Sequence, residues 1–290
     1  MIRIGNAPVS YGAFEVTVGH DANVPTAEHV LDSIRDAGYV GVDLGPLGYF
    51  GLDGELAEAL RHRGLLLAGG YVEIDVSDED AALRGFAELA GVCAQFDAVA
   101  ADVERPFLPR PTVALLAPEG WRAEQGEDAT WSRIVTVVDE VVAVCEKRGY
   151  EACLHNEVGT MIATGDDVRR ALGETAASLC LDTGHLAAAG GDPVAVIDAW
   201  RGRVTHVHLK DARTAGGPYA DAMTLWENDV FCRLGAGDVK IDEVLDSLRA
   251  GGYEGWILVE QDVLPRGAAA YEQAEADQVH NRGYLRDRGW

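Results

Sequence analysis

Short apolar runs alternate with segments of helical spacing along the chain, and this alternation predicts an α/β protein closed into a (β/α)₈ barrel. Two further observations support that class. The apolar runs number eight, the count such a barrel requires. The first run is followed by "GNAPVSYG" rather than the G-x-G-x-x-G of an open nucleotide-binding sheet, and no phosphate-binding loop occurs elsewhere. The 290 residues suit one such domain over 1–290, since these barrels take about 250.

The predicted strands occupy residues 3–9, 41–44, 65–72, 98–102, 151–155, 178–182, 204–209 and 255–260. Each is short and rich in Val, Leu, Ile or Ala, as expected of a parallel sheet covered on both faces. The predicted helices occupy 26–37, 54–63, 78–95, 130–148, 166–174, 193–200, 241–250 and 268–286. Thr26 stands as an N-cap, and Asp192 does so ahead of Pro193 in a first turn. "RDAGYVGVDL", "CEKRGYEACL" and "LRAGGYEGWILV" share a helix end, a glycine stop and an aromatic entering the next strand. "RPFLPRPTVALLAPEG" and "DARTAGGPYADAMTLWEND" are irregular and are read as long βα loops at about 104–127 and 212–235, candidate lids over an active face.

Composition narrows the function. A formal charge of −24 disfavours nucleic acid and anionic membranes as partners. No window approaches the roughly 18 apolar residues of a membrane span, and "MIRIGNAPVS" reads as a first strand rather than a leader. The five cysteines form no C-x-x-C pair and read as buried apolar groups in a reducing cytoplasm. A small-molecule ligand is the expected partner, with a homo-oligomer left open.

The chemistry gathers at predicted strand ends, where a barrel builds its site. "LHNEVGT" brings His155 and Glu157, "LCLDTGH" brings Asp182 and His185, "THVHLKD" brings His206, His208 and Lys210, and "LVEQD" brings Glu260 and Asp262. Residues two apart on a strand share a face, so His206, His208 and Lys210 point one way. Carboxylates with one imidazole suit Mn²⁺, with Co²⁺, Mg²⁺ or Zn²⁺ as alternatives. Glu157, Asp182, His208 and Glu260 form the expected ligand set. His155, His206 and Asp262, taken singly, are read as core or turn groups. Asn6, Tyr11, Glu15 and Asp43 follow the first two strands and are candidate substrate contacts, against an equal reading as turn or cap residues. Trp121, Trp131 and Trp226 fall in or near the irregular stretches, where a ring-covering role and core packing are equally open.

"LDTGHLAAAGGDP", "THVHLKD" and "GWILVEQD", with the opening "NAPVSYGAFE", resemble the xylose-isomerase-like barrels across nearly the whole chain. "NAPVSYG", "GPLGYF" and "GGYVEIDVSD" resemble most the inosose dehydratases within that group. The resemblance implies the same ligand set and a lyase that dehydrates a cyclic keto-polyol through an enediolate. Glu157 and Glu260 would act as base and acid, with His185 and Lys210 as proton donors or hydroxyl contacts, although Lys210 also reads as an ion-pair partner. Two positions depart from the dehydratase pattern. That pattern carries His where this chain has Glu157, and an apolar residue or Pro where it has Glu73. Glu at the first position resembles the epimerase and isomerase branch. Keto-sugar epimerisation or isomerisation is therefore the alternative, followed by β-elimination on 3-keto-glycosides and a non-catalytic sugar-binding barrel.

Overall fold

A computed structural model describes residues 1–101 and 103–290. Its strands are β1 (Ile2–Asn6), β2 (Gly41–Asp43), β3 (Leu66–Asp75), β4 (Arg110–Leu116), β5 (Cys153–His155), β6 (Ser178–Asp182), β7 (Val204–Leu209), β8 (Asp211–Ala212), β9 (Phe231–Cys232) and β10 (Gly255–Val259). Eight of them close a parallel barrel in the order β1-β10-β7-β6-β5-β4-β3-β2, and β8 and β9 pair as a small antiparallel ribbon. Barrel strands such as β6 and β10 are buried along their whole length, because helices cover the outer face and side chains fill the inner one.

The helical layer follows from amphipathic spacing and capping. In Ala27–Ala37, Val30, Leu31 and Ile34 form the buried stripe. The Thr26 hydroxyl accepts from the His29 amide, and Gly38 ends the helix at φ 94°. Asp192 accepts from the Val194 and Ala195 amides ahead of Pro193, as its sequence position predicts. All five cysteines are free and buried.

Two expectations are overturned. The run 98–102 is not a strand: Val99 closes the helix Glu79–Val99, whose buried Leu89, Val92, Cys93 and Phe96 continue one helical face, and Asp102 lies outside the described residues. The fourth strand is β4, within the stretch 104–127 expected to be a loop. Its prolines hid it. Pro111 lacks a ladder N–H, and a proline inside a run argues against a strand, although here it stands at the strand's beginning beside Arg110.

The segment before β4 is no lid either. Phe107 packs with Ala68, Trp256 and Leu258 in a separate apolar cluster, and its carbonyl accepts from the Trp256 indole at 3.0 Å. Trp256 lies near the start of β10, so this cluster seals the N-terminal end of the barrel, away from the site. The close packing requires glycine at position 41, where a Cβ would lie 2.3 Å from the Trp256 ring. The stretch 212–235 does follow β7 and carries the ribbon and the helix Ala222–Glu227.

Candidate active site and metal centre

Strand parity builds the site. At the C-terminal ends of four barrel strands, polar side chains two residues apart enter one cavity: Tyr71 and Glu73 from β3, His155 and Glu157 at β5, His208 and Lys210 at β7, Glu260 and Asp262 after β10. The cavity measures about 260 Å³. Asp43 ends β2 in it, Phe14 and Glu15 come from the stretch after β1, and Trp226 comes from the helix Ala222–Glu227. Asp182 is fully buried beside them and pairs in register with His208.

Backbone clamps fix Asp182 and Lys210, two fully buried groups of the site. The Asn156 side-chain amide donates to the Asp182 carbonyl and accepts from the Asp182 amide, both at 3.0 Å. The Thr183 hydroxyl donates to the Lys210 carbonyl at 2.7 Å and accepts from the Lys210 amide at 2.9 Å. Asp182 Oδ1 accepts from the His185 amide as an N-cap, leaving Oδ2 for the site.

Lys210 is the electrostatic centre. Its ammonium lies 2.9 Å from Asp182, 3.2 Å from Glu260 and 2.8 Å from Asp262. Burial opposes each of these charges, but their mutual attraction prevails. It raises Lys210 well above its usual range and holds Asp182 well below. Asp262 falls to about 2 under Lys210 and His185, against the effect of burial. His185 takes the Val158 amide at Nδ1, which puts its own proton on Nε2, 3.0 Å from Asp262.

On the other side, His155 lies 3.1 Å from His208, 3.4 Å from Glu157 and 3.6 Å from Asp182. Burial lowers its basicity, yet the Asp182 and Glu157 carboxylates carry its pKa up to about 10. Tyr71 donates to Glu157 at 2.8 Å, and with His155 and His185 this keeps Glu157 ionised despite burial. Burial, with the Glu260 carboxylate, pushes Asp43 up to about 6 against the Gly45 amide, His208 and His155.

A divalent cation fits this donor set. One ligand atom each from Asp182, His208 and Glu260 lies within 4.8 Å of the others. His208 Nδ1 lies 3.2 Å from a Glu260 oxygen and 4.0 Å from Asp182 Oδ2, so one imidazole nitrogen and two carboxylate oxygens converge as a divalent cation requires. Glu157 stands outside this trio, held by Tyr71 and His155. His155, Cys180 and His208 also cluster, and burial raises the Cys180 thiol well above its usual range.

Residues 31–276 match the xylose isomerase-like TIM barrel family. The chain belongs to this family. Among curated proteins, an inosose dehydratase of Lactiplantibacillus plantarum is 26% identical, covering 98% of this chain and 96% of its own. The rhizopine catabolism protein MocC of Rhizobium meliloti is 30% identical, covering 92% of this chain and 83% of its own. Among solved structures, a zinc-bound IolI protein aligns with TM-score 0.74 at 14% identity, covering 97% of this chain and 95% of its own. An L-ribulose 3-epimerase aligns with TM-score 0.71 at 18% identity, covering 98% and 93%. At such identities these structures speak to fold alone.

Within this family frame, some expected residues converge and others do not. Glu157, Asp182, His185, His208, Lys210 and Glu260 meet, and Glu15 and Asp43 line the same cavity. Asn6 and Tyr11 do not line it. Asn6 donates outward to Gln278 of the helix Ala268–Arg286, and Tyr11 is buried in the main apolar core. Sequence reading set His155 and Asp262 aside as core and turn groups, but both enter the cavity. It passed over Tyr71 altogether, although Tyr71 and Glu73 stand two apart at a strand end like the other pairs. His206 is buried with neither ring nitrogen partnered and lies outside the cavity lining. Trp226 lines the cavity, whereas Trp131 is buried against Glu127, its indole donating at 2.7 Å. The described residues contain no helix long and apolar enough to cross a membrane.

Proposed function

We propose that this protein is a metal-dependent lyase that dehydrates a keto-inositol or a similar cyclic keto-polyol. The observation that carries the reading is the meeting of two carboxylates, Glu157 and Glu260, and one ammonium, Lys210, in a cavity beside a trio suited to a divalent cation. Relatives named inosose dehydratase over nearly the full chain support the substrate class. Asp182, His208 and Glu260 would hold the cation, with Glu157 as the fourth candidate. Mn²⁺ is the expected metal. Bound there, it supplies Lewis-acid polarisation of the substrate ketone.

The chain's own groups supply the rest. Glu157, ionised at neutral pH, accepts the proton α to the ketone, and Tyr71 orients it. Lys210 is fixed by Asp262 and presents positive charge to an oxygen that gains negative charge. His185, with its proton on Nε2 and Asp262 behind it, is the candidate donor to a departing hydroxyl. Residues 1–290 act as one barrel domain in this reading.

Glu157 favours a second reading. A carboxylate at this place in the dehydratase pattern serves equally to return a proton to carbon, which makes the protein a keto-sugar epimerase or isomerase. One experiment separates the two. The Mn²⁺-loaded protein is incubated with 2-keto-myo-inositol in D₂O and followed by proton NMR. Metal-dependent loss of water supports dehydration. Deuterium at the α-carbon without loss of water supports the second reading. An unchanged spectrum sinks inositol ketones as substrates.

A further inference from the structure

One aromatic ring backs both Lys210 and His185. Phe231, 5% exposed, belongs to β9 and pairs with Ala212 of β8. Its ring centroid lies 4.7 Å from that of His185, at an interplanar angle of 62°. The Lys210 ammonium lies over the same ring, 4.9 Å from its centroid, a favourable place for a buried cation. The ring also marks a boundary. A second groove, of about 620 Å³, adjoins the cavity, and Trp226 and Asp262 line both. Phe231 lines only the groove, whereas His185 and Lys210 line only the cavity. With its ring against both of those side chains, Phe231 separates them from groove water.

The chain next to Lys210 holds this partition in place. The Asp211 carboxylate accepts from the Ala212, Gly235, Gly237 and Val239 amides at 2.8–3.2 Å. Glycine is needed at 237, where a Cβ would lie 2.3 Å from Asp211 Oδ1. The Leu234 amide donates to Asn281 of the helix Ala268–Arg286 at 2.8 Å. Four amides on one buried carboxylate and a tie to that helix fix the return of the ribbon, and with it the ring. What the ring shields depends on being dry. Asp262 is held by Lys210 at 2.8 Å and by His185 at 3.0 Å, and such contacts weaken as water enters and the local dielectric rises.

We propose that Phe231 is a positioning residue of the reaction: its ring seals groove water away from His185, Lys210 and Asp262, so that the imidazole and the ammonium keep one orientation toward the substrate. This inference rests on the reading of Lys210 and His185 as working groups of a keto-polyol enzyme. A phenylalanine that only filled the core would contribute stability and leave the reaction untouched. The irregular stretch 212–235 then serves the site as a rear wall, through the ribbon that carries the ring.

Two readouts test it, and one needs no substrate. The full chain, with its histidines isotopically labelled at nitrogen and loaded with diamagnetic Mg²⁺, is followed by NMR for the His185 Nε2 proton, assigned by its loss in His185→Gln. A buried, hydrogen-bonded proton exchanges with water only when its surroundings open. That proton should exchange slowly in the wild type and in Phe231→Leu, which keeps most of the bulk, and fast in Phe231→Ala. With Mn²⁺ and 2-keto-myo-inositol, Phe231→Ala should lose about tenfold in kcat at a KM within about threefold of wild type, and Phe231→Leu should recover most of the loss. Phe107→Ala, which empties an aromatic site at the other end of the barrel, should change neither readout per folded molecule. A His185 proton that already exchanges fast in the wild type, or still exchanges slowly in Phe231→Ala, overturns the proposal. So does an equal loss of kcat in Phe107→Ala, or an effect of Phe231→Ala confined to KM. A wild type inert toward inositol ketones removes the reading of the reaction instead, and the lifetime of the ring proton then decides the sealing role by itself.

Discussion

Removing the Lys210 ammonium tests the electrostatic account of the site most directly. In Lys210→Met the side chain keeps its bulk, but Asp182, Glu260 and Asp262 lose a cation that lies 2.8–3.2 Å from each. Lys210 is 1% exposed, so water cannot replace it. Breaking a buried pair from one side costs about 3–5 kcal/mol. At about 2.1 cal/mol/K per residue, unfolding this chain carries an entropy near 0.6 kcal/mol/K, so the metal-free variant should melt about 5–8 °C lower at pH 7. The pH dependence fixes the cause. Asp262 is held at about 2, below its unfolded value, so its stabilisation is complete above the unfolded pKa and fades as pH falls toward 2. The gap between the two proteins should therefore be full at pH 7 and shrink below pH ~4. Scanning calorimetry in a chelator from pH 7 to pH 3 measures it. Mn²⁺ should raise the variant's melting temperature more than the wild type's. Melting within ~1 °C of wild type at pH 7, or a gap independent of pH, would refute the claim that Lys210 neutralises this cluster.

Three other outcomes are expected. Phe107→Ala should lose about 3–5 kcal/mol of stability by opening the sealed barrel end, while deuterium exchange into substrate per folded molecule stays unchanged; a lost rate would place Phe107 in the site. Tyr71→Phe removes the donor to Glu157, so the acidic limb of the exchange-rate profile should move to higher pH, as a pH series by NMR would show. Asp43→Asn should stabilise the metal-free protein at pH 8, by up to about 3 kcal/mol, because Asp43 is raised to about 6 and its ionisation works against folding above that pH. That gain should vanish near pH 4, where Asp43 is protonated in the native protein and begins to be so in the unfolded chain.

The barrel and the polar rim were legible because both rest on local periodicity. Apolar runs of strand length alternating with capped helices predict the (β/α)₈ class, and period-two spacing puts His208 with Lys210 on one face whatever the neighbours do. The same rule covered Tyr71 with Glu73, His155 with Glu157 and Glu260 with Asp262, but single residues such as His155 were weighed as lone core groups. Where periodicity is broken, the reading fails. The prolines around β4 disguised a strand, and "AVAAD" passed for one because small apolar residues suit either state. Only the closed sheet decides that Phe107 plugs the far end of the barrel, since that contact joins it to Trp256 from 149 residues along the chain. Closure also turns Asn6 outward to Gln278, brings Glu15 and Glu73 near Glu157, and sets Asp43 near Glu260 and His208. Sequence alone determined which groups each strand end offers, because side-chain direction along a strand is local. Which of those groups share a charge, go unanswered or are orphaned was decided by tertiary structure, because electrostatic pairing depends on distances across the barrel that no local pattern encodes.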